Sequence, residues 1–254
     1  MTGEKPPKKI RLDLALVERG LAPSRERARA LILAGLVVVG EHAAEKAGQT
    51  VAIDAPIRLK GDNCPYVSRG GLKLEGALQH FKIDPTGTIC LDVGASTGGF
   101  TDCLLQHGAA KAYTIDVGTN QLAWSLRQDP RVVAREQFHV KDLLRADVPA
   151  AKVDLIVVDV SFISLRLALP PLRPFLAEGS GLLALVKPQF EAGREKVGKG
   201  GVVRDPADRE AAVAAVAVFL AEMGYPPAAP YAAPITGPAG NQEYFLFVPP
   251  RGAI

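Results

Sequence analysis

The sequence predicts an α/β fold, a doubly wound parallel sheet covered by helices on both faces and preceded by a small α+β domain. Three observations carry that expectation. From Thr88 onward strand-like and helix-like runs alternate, whereas the first sixty residues pair two short helices with short β-rich runs, and a polar stretch holding Gly61 and Pro65 separates the two patterns. With 254 residues, 48% hydrophobic and 22% charged, the chain can bury a sizeable core, which excludes disorder and a fibrous fold.

Taken in order, Leu12, Leu14, Leu16 and Val17 form an apolar helical stripe that Gly20 is placed to stop. Pro23-Ser24 opens a second helix with Ser24 as N-cap and Ala28, Leu31 and Ile32 inward, so Arg25, Arg27 and Arg29 decorate its first turns. After Gly35 come a β-rich run from Leu36 to Val39, a turn at Gly40-Glu41, and a run from Gln49 to Leu59 broken at Asp54-Ala55-Pro56. Lys60 to Pro65 reads as a linker. Gly70-Gly71 then precedes an amphipathic helix from Leu72 to Phe81 that carries Lys73. Strands follow at ICLDV, AYTIDV, VDLIVVDV, GLLALVKP and EYFLFV, separated by helices at Thr101 to His107, Gln121 to Leu126, Ile163 to Leu176 and Pro206 to Met223. Such alternation builds right-handed βαβ units.

Composition narrows the function classes. The longest apolar stretches, Ala30 to Gly40 and Ala211 to Ala221, fall short of the ~20 residues that span a bilayer, and the basic N-terminus has no apolar core of a secretory signal. A cytoplasmic protein is expected. Cys64, Cys90 and Cys103 are odd in number without C-x-x-C spacing, so reduced packing thiols are expected, with neither a disulfide framework nor a zinc site. Residues 1–75 hold 13 Lys and Arg against 9 Asp and Glu; the remainder holds 17 against 18. Seven basic and three acidic residues between Lys8 and Arg29 suit a phosphate backbone, although a solvated helix face has the same charge pattern.

The chemistry-bearing residues cluster at strand ends. Asp92-Val-Gly94-Ala-Ser96-Thr97-Gly98-Gly99-Phe100 follows the strand ICLDV and opens a helix, where glycines let the backbone turn tightly against a ligand. The spacing departs from G-x-G-x-x-G, which argues against a dinucleotide oxidoreductase. It instead looks like the cofactor loop of S-adenosylmethionine-dependent methyltransferases. Asp116 ends the next strand, where a carboxylate could accept both ribose hydroxyls of an adenosyl group, and Asp142 is placed to meet the adenine. Either aspartate alone also fits a helix N-cap or turn. Asp159 and Lys187 close neighbouring strands and should lie side by side above the cofactor edge, with Lys73 and Glu243 converging on them. A lysine flanked by Pro188, partly desolvated and near a second lysine, suits a general base; a lone lysine after a strand is otherwise a solvated end.

Two resemblances follow from these residues. RLDLALVERGLAPSRERARALILAGLVVVGE and KAGQTVAIDAPIRL resemble the alpha-L RNA-binding motif, which implies that Arg11, Arg25, Arg27 and Arg29 meet structured RNA, with Arg69 added from the second domain. YVSRGGLKLEGAL, DVGASTGGFTDCLL, IDVGTNQLAWSLRQDPRV, VDLIVVDVSFISL, LVKPQFEAGREKVGKGGVVRDP and GNQEYF resemble the TlyA, or hemolysin A, family, related to the FtsJ/RrmJ group. That resemblance implies a Rossmann-like S-adenosylmethionine-dependent domain over 69–250, an RNA-binding domain over 9–60 and a linker over 61–68. It implies methylation of a ribose 2'-hydroxyl of a cytidine in 23S, and in some members 16S, ribosomal RNA or ribosomal subunits. The family's catalytic tetrad falls on Lys73, Asp159, Lys187 and Glu243, its cofactor motif on Asp92 to Phe100, and no metal is required. A membrane-active hemolysin lacks any signal or spanning segment here, and a non-catalytic RNA-binding assembly factor would have no use for an intact tetrad. Oligomeric state is left open.

Overall fold

A computed structural model describes residues 9–250 apart from residues 20, 23, 41, 45 and 60–63. The expected stop at Gly20, the Pro23 step, Glu41 of the expected turn and most of the expected linker lie outside the described residues. Contacts divide the chain into two compact units, Met1–Asn63 and Cys64–Ile254.

In the first unit β1 (Lys9–Arg11) leads into α1 (Leu12–Glu18), followed by α2 (Arg25–Leu33), β2 (Val37–Val39), β3 (His42–Ala43), β4 (Thr50–Ala52) and β5 (Ile57–Leu59). Two small antiparallel sheets form, β1 with β4 and β3-β2-β5, where the sequence predicts one. Strands as short as β1 and β3 are too brief to show an alternation of polar and apolar residues. Ser24 caps α2 as expected, its hydroxyl accepting from the Arg27 N–H at 3.2 Å. Leu12, Leu16, Ala28, Ile32 and Val37 are buried together between helices and strands.

Asp13 is buried among these apolar groups with no exposed surface. Its Oδ1 accepts from Arg11 Nε at 3.0 Å, and Oδ2 accepts from Arg25 Nη2 at 3.2 Å and Arg29 Nε at 3.3 Å. The bond from Arg11, aided by those from Arg25 and Arg29, holds the Asp13 carboxyl well below the usual carboxylate range despite its burial.

The second unit begins with α3 (Gly70–Phe81), β6 (Ile89–Val93), α4 (Gly99–Gln106), β7 (Lys111–Ile115), α5 (Trp124–Arg127) and β8 (Val132–Arg135). It continues through β9 (Leu155–Val158), α6 (Leu165–Ala168), α7 (Arg173–Ala177), β10 (Gly181–Val186), α8 (Pro188–Glu191), α9 (Pro206–Glu222), β11 (Tyr231–Ala232) and β12 (Tyr244–Val248). One seven-stranded sheet runs in the order β11-β12-β10-β9-β6-β7-β8. Both faces are covered: Leu91, Val93, Ile156, Val158 and Leu182 point into one apolar layer, and Cys90, Leu155, Val157, Leu183 and Leu185 into the other. Burial pushes the Cys90 and Cys103 thiols up to about 12. Among the described residues no helix is long and apolar enough to cross a membrane.

Three further expectations need correction. The sheet is mixed, because β12 is antiparallel to β10, and β11 to β12. The single helix expected from Ile163 to Leu176 is α6, a 3-10 turn at Pro170–Leu172, and α7, since adjacent prolines donate no N–H to a continuous helix. Finally, Gly70 and Gly71 lie inside α3: a Cβ at Gly71 would stand on the Tyr66 ring, so the helix packs there only without a side chain.

Because Asp13 is ionised and clamped, its contribution to stability is present above its unfolded pKa of about 3.9 and is lost as pH falls toward the depressed native value. Asp13→Asn should destabilise the first unit by roughly 1 to 3 kcal/mol at pH 7, less than a fully buried pair because the arginines are about half exposed. Hydrogen exchange of the α1 and α2 amides should show a deficit that is large at pH 7 and shrinks at pH 3.

Candidate active site

The strand order reverses between β6 and β9, and a crevice opens at the carboxyl ends of parallel strands at such a point. The chain is pressed closely there. Gly94, at φ +87°, runs so near β9 that a Cβ would stand 2.5 Å from the Asp159 carbonyl oxygen, and a Cβ at Gly99 would strike Ser68 Oγ. Gly98, at φ +94°, faces the Leu122 and Leu126 side chains. The loop from Gly94 to Gly98 has therefore traded side chains for close approach of backbone.

Above it opens a cleft of about 740 Å³, whose lining includes Gly94, Ser96, Thr97, Gly99 and Phe100 together with Lys73, Asp159, Lys187 and Glu243. Four separate segments bring the last four together. Asp159 and Lys187 each follow the last residue of adjacent parallel strands, and Lys187 Nζ lies 2.5 Å from Asp159 Oδ1. Val186 pairs with Tyr244, so antiparallel β12 begins at the same edge, with Glu243 beside Lys187 in the register. A parallel last strand would have carried Glu243 to the far edge of the sheet. Lys73 reaches in from the first turn of α3 and donates to Glu243 Oε2 at 2.6 Å; both side chains are buried, 8% and 1% exposed.

The remaining expected cofactor residues take other places. Asp92 is wholly buried under the loop, accepting from Thr101 Oγ1 at 2.6 Å through Oδ2. Its Oδ1 has no partner among the described residues, and burial raises its pKa to about 7. Asp116 follows β7, outside the cleft lining, and ties two loops, its Oδ2 accepting from the Ser96 N–H at 2.7 Å and Oδ1 from the Gly118 N–H at 2.6 Å. Asp142 is exposed on a 3-10 turn after β8, outside the cleft lining.

Of the arginines, Arg69 lines the cleft and donates to the Thr236 carbonyl at 3.4 Å. Arg11, Arg25 and Arg29 gather on Asp13, whereas Arg27, two residues along α2, projects from another side of the helix and is exposed.

Three residues escaped the sequence reading. Ser161 accepts from Lys187 Nζ at 2.8 Å. Phe162, 91% exposed at the cleft, holds a left-handed φ of +65° and packs on Phe190. Asn241, buried, donates to the Gly201 carbonyl at 2.8 Å and accepts from the Val203 N–H at 3.0 Å, fastening a glycine-rich segment to the approach of β12. The position of Ser161, two residues past Asp159 at a strand end, was the available signal.

The FtsJ-like methyltransferase family matches this chain over residues 66–248. The chain belongs to that family. An S4 domain matches residues 10–56. A Bacillus subtilis (strain 168) protein named "Putative rRNA methyltransferase YqxC" is 51% identical over 94% of this chain and 85% of its own length. The Mycobacterium tuberculosis (strain H37Rv) protein named 16S/23S rRNA (cytidine-2'-O)-methyltransferase TlyA is 46% identical over 95% of this chain and 90% of its own. A solved structure described as "Putative hemolysin from Streptococcus thermophilus" superposes with a TM-score of 0.74 at 42% identity, covering 96% of this chain and 89% of that one. The FtsJ-like fold thus extends over the cleft and all four converging side chains.

In this FtsJ-like domain the Lys73–Glu243 pair is buried deeply enough for its loss to be felt. Lys73→Met should destabilise the domain by about 3 to 5 kcal/mol, because Glu243 is left charged and alone. Adding Glu243→Gln should recover part of that loss in a double-mutant cycle measured by urea denaturation.

Proposed function

We propose that the chain methylates a ribose 2'-hydroxyl of ribosomal RNA, at a cytidine in 23S and also in 16S RNA, using S-adenosylmethionine. The observation that carries this reading is the convergence of two lysine–carboxylate pairs at one sheet edge beside a glycine loop. The residues present fit the cofactor: Gly94 and Gly99 leave no room for side chains, Asp116 organises the neighbouring loops, and the unpartnered Asp92 Oδ1 lies beneath. When bound, S-adenosylmethionine supplies an electrophilic methyl carbon whose bond to sulfur breaks as its bond to the ribose oxygen forms.

Lys187, as the neutral amine, accepts the 2'-hydroxyl proton during that displacement, a contribution of roughly 10² to 10⁴ in rate. Asp159 holds Lys187 and places negative charge at the cofactor edge. Lys73, fixed by Glu243, orients the ribose oxygens, and alignment of the reacting atoms supplies much of the remaining acceleration. Phe162 offers an exposed aromatic face on which a nucleobase can stack. The arginines on Asp13, with Arg27 and Arg69, bind the phosphate backbone, which makes the first unit the RNA-holding domain and the second unit the methylating domain. The relatives named hemolysin share the cleft's family, and a cleft of paired lysines and carboxylates serves group transfer. Ribosomal RNA as substrate implies a cytoplasmic site of action.

Lys187→Met keeps the apolar stem and removes the amine, so S-adenosylmethionine should bind close to normally while single-turnover transfer to rRNA falls by roughly 10² to 10⁴. A variant that kept most of the wild-type rate would overturn the base assignment. Asp116→Ala should weaken S-adenosylmethionine binding by ~1.5 to 3 kcal/mol in calorimetric titration, and unchanged affinity in a folded variant would remove it from the cofactor site.

A further inference from the structure

We propose that Ser161 is a positioning residue for methyl transfer, fixing the direction in which Lys187 presents its nitrogen lone pair. The inference rests on Lys187 being the base. A lysine amine sits at the end of a flexible stem and can turn about its last bond, so nearness to the substrate does not by itself aim it. In its neutral form it has two N–H groups and one lone pair, arranged tetrahedrally. Ser161 Oγ accepts a hydrogen bond from Nζ at 2.8 Å, and Asp159 Oδ1 stands 2.5 Å from Nζ as an ion-pair partner outside hydrogen-bond geometry. With one N–H donated to Ser161 and the Asp159 carboxylate drawing a second toward itself by charge, a single tetrahedral direction is left for the lone pair. With Asp159 alone, the amine could rotate and offer either an N–H or the lone pair to the 2'-hydroxyl.

The surroundings hold this arrangement from both sides. Asp159 and Ser161 lie two residues apart on the segment that leaves β9, so the two partners keep a fixed spacing. Immediately after Ser161 the backbone takes the left-handed conformation at Phe162, φ +65°, which an aromatic residue adopts only when its neighbours impose it. The Phe162 ring packs against Phe190 at 5.4 Å. Phe190 belongs to α8, which starts one residue after Lys187, and its N–H donates to the Lys187 carbonyl at 2.9 Å. The segment carrying the two partners and the segment carrying the amine are thereby fastened together beside the very hydrogen bond in question.

The test uses the full chain with rRNA as substrate under single-turnover conditions. Ser161→Ala should slow transfer roughly 10- to 100-fold at saturating cofactor and RNA, with dissociation constants for both within about twofold of wild type. Ser161→Thr, which retains the hydroxyl oxygen, should restore the rate to within about threefold. The proposal is overturned if Ser161→Ala transfers at the wild-type rate, if Ser161→Thr is as slow as Ser161→Ala, or if the loss appears only in RNA or cofactor affinity. Lys187→Met, measured alongside, separates the two claims: an inactive Lys187→Met with a fully active Ser161→Ala removes the positioning role alone, and an active Lys187→Met removes the base on which it depends.

Discussion

A carboxylate that is 1% exposed must be compensated where it stands, and the compensation of Glu243 organises the second unit. Its partner, Lys73, comes from a helix before the first strand of the large sheet, 170 residues away, so the pair joins the beginning and end of the fold. The pairing is possible only because β12 is antiparallel. Running against β10, it starts where the parallel strands finish and brings Glu243 level with Lys187. The same edge carries the reversal of strand order and the glycine loop, so one topological choice sets charge compensation and cleft together.

A similar economy of charge appears in the first unit at another scale. One buried carboxylate, Asp13, collects guanidinium groups from β1 and from successive turns of α2. Arg25 and Arg29, four residues apart, stack along one side of the helix, so a single anion reaches both. The arginines keep about half of their surface, which leaves a cationic patch whose spacing is set from beneath.

Much of this was legible in the chain itself. Glycines after ICLDV, aspartates and a lysine ending apolar runs, and a serine at an N-cap are local signals, and local signals survive translation into structure. The strand direction of EYFLFV was not legible, because period and composition are identical for parallel and antiparallel neighbours, and only the pairing of Val186 with Tyr244 decides it. The division of Ile163 to Leu176 was visible in Pro170-Pro171 but outweighed by apolar periodicity. The helical period separates Arg27 from Arg25 and Arg29, and the role of Asp13 is hidden in the sequence because its partners meet only when α1 and α2 are packed. A serine after a strand carries no charge, so Ser161 is marked in the sequence only by its place two residues past Asp159.

The wide sequence separation of Lys73 and Glu243 has a kinetic side. β12 lies between β10 and β11, so its hydrogen bonds and the Lys73 contact wait upon a sheet that is already laid down on one flank. Contacts between residues so far apart bear the largest loop-closure entropy and form late. The Lys73–Glu243 contact therefore ties the ends of this unit together, so opening either the first helix or the last strand exposes a buried charge on the other.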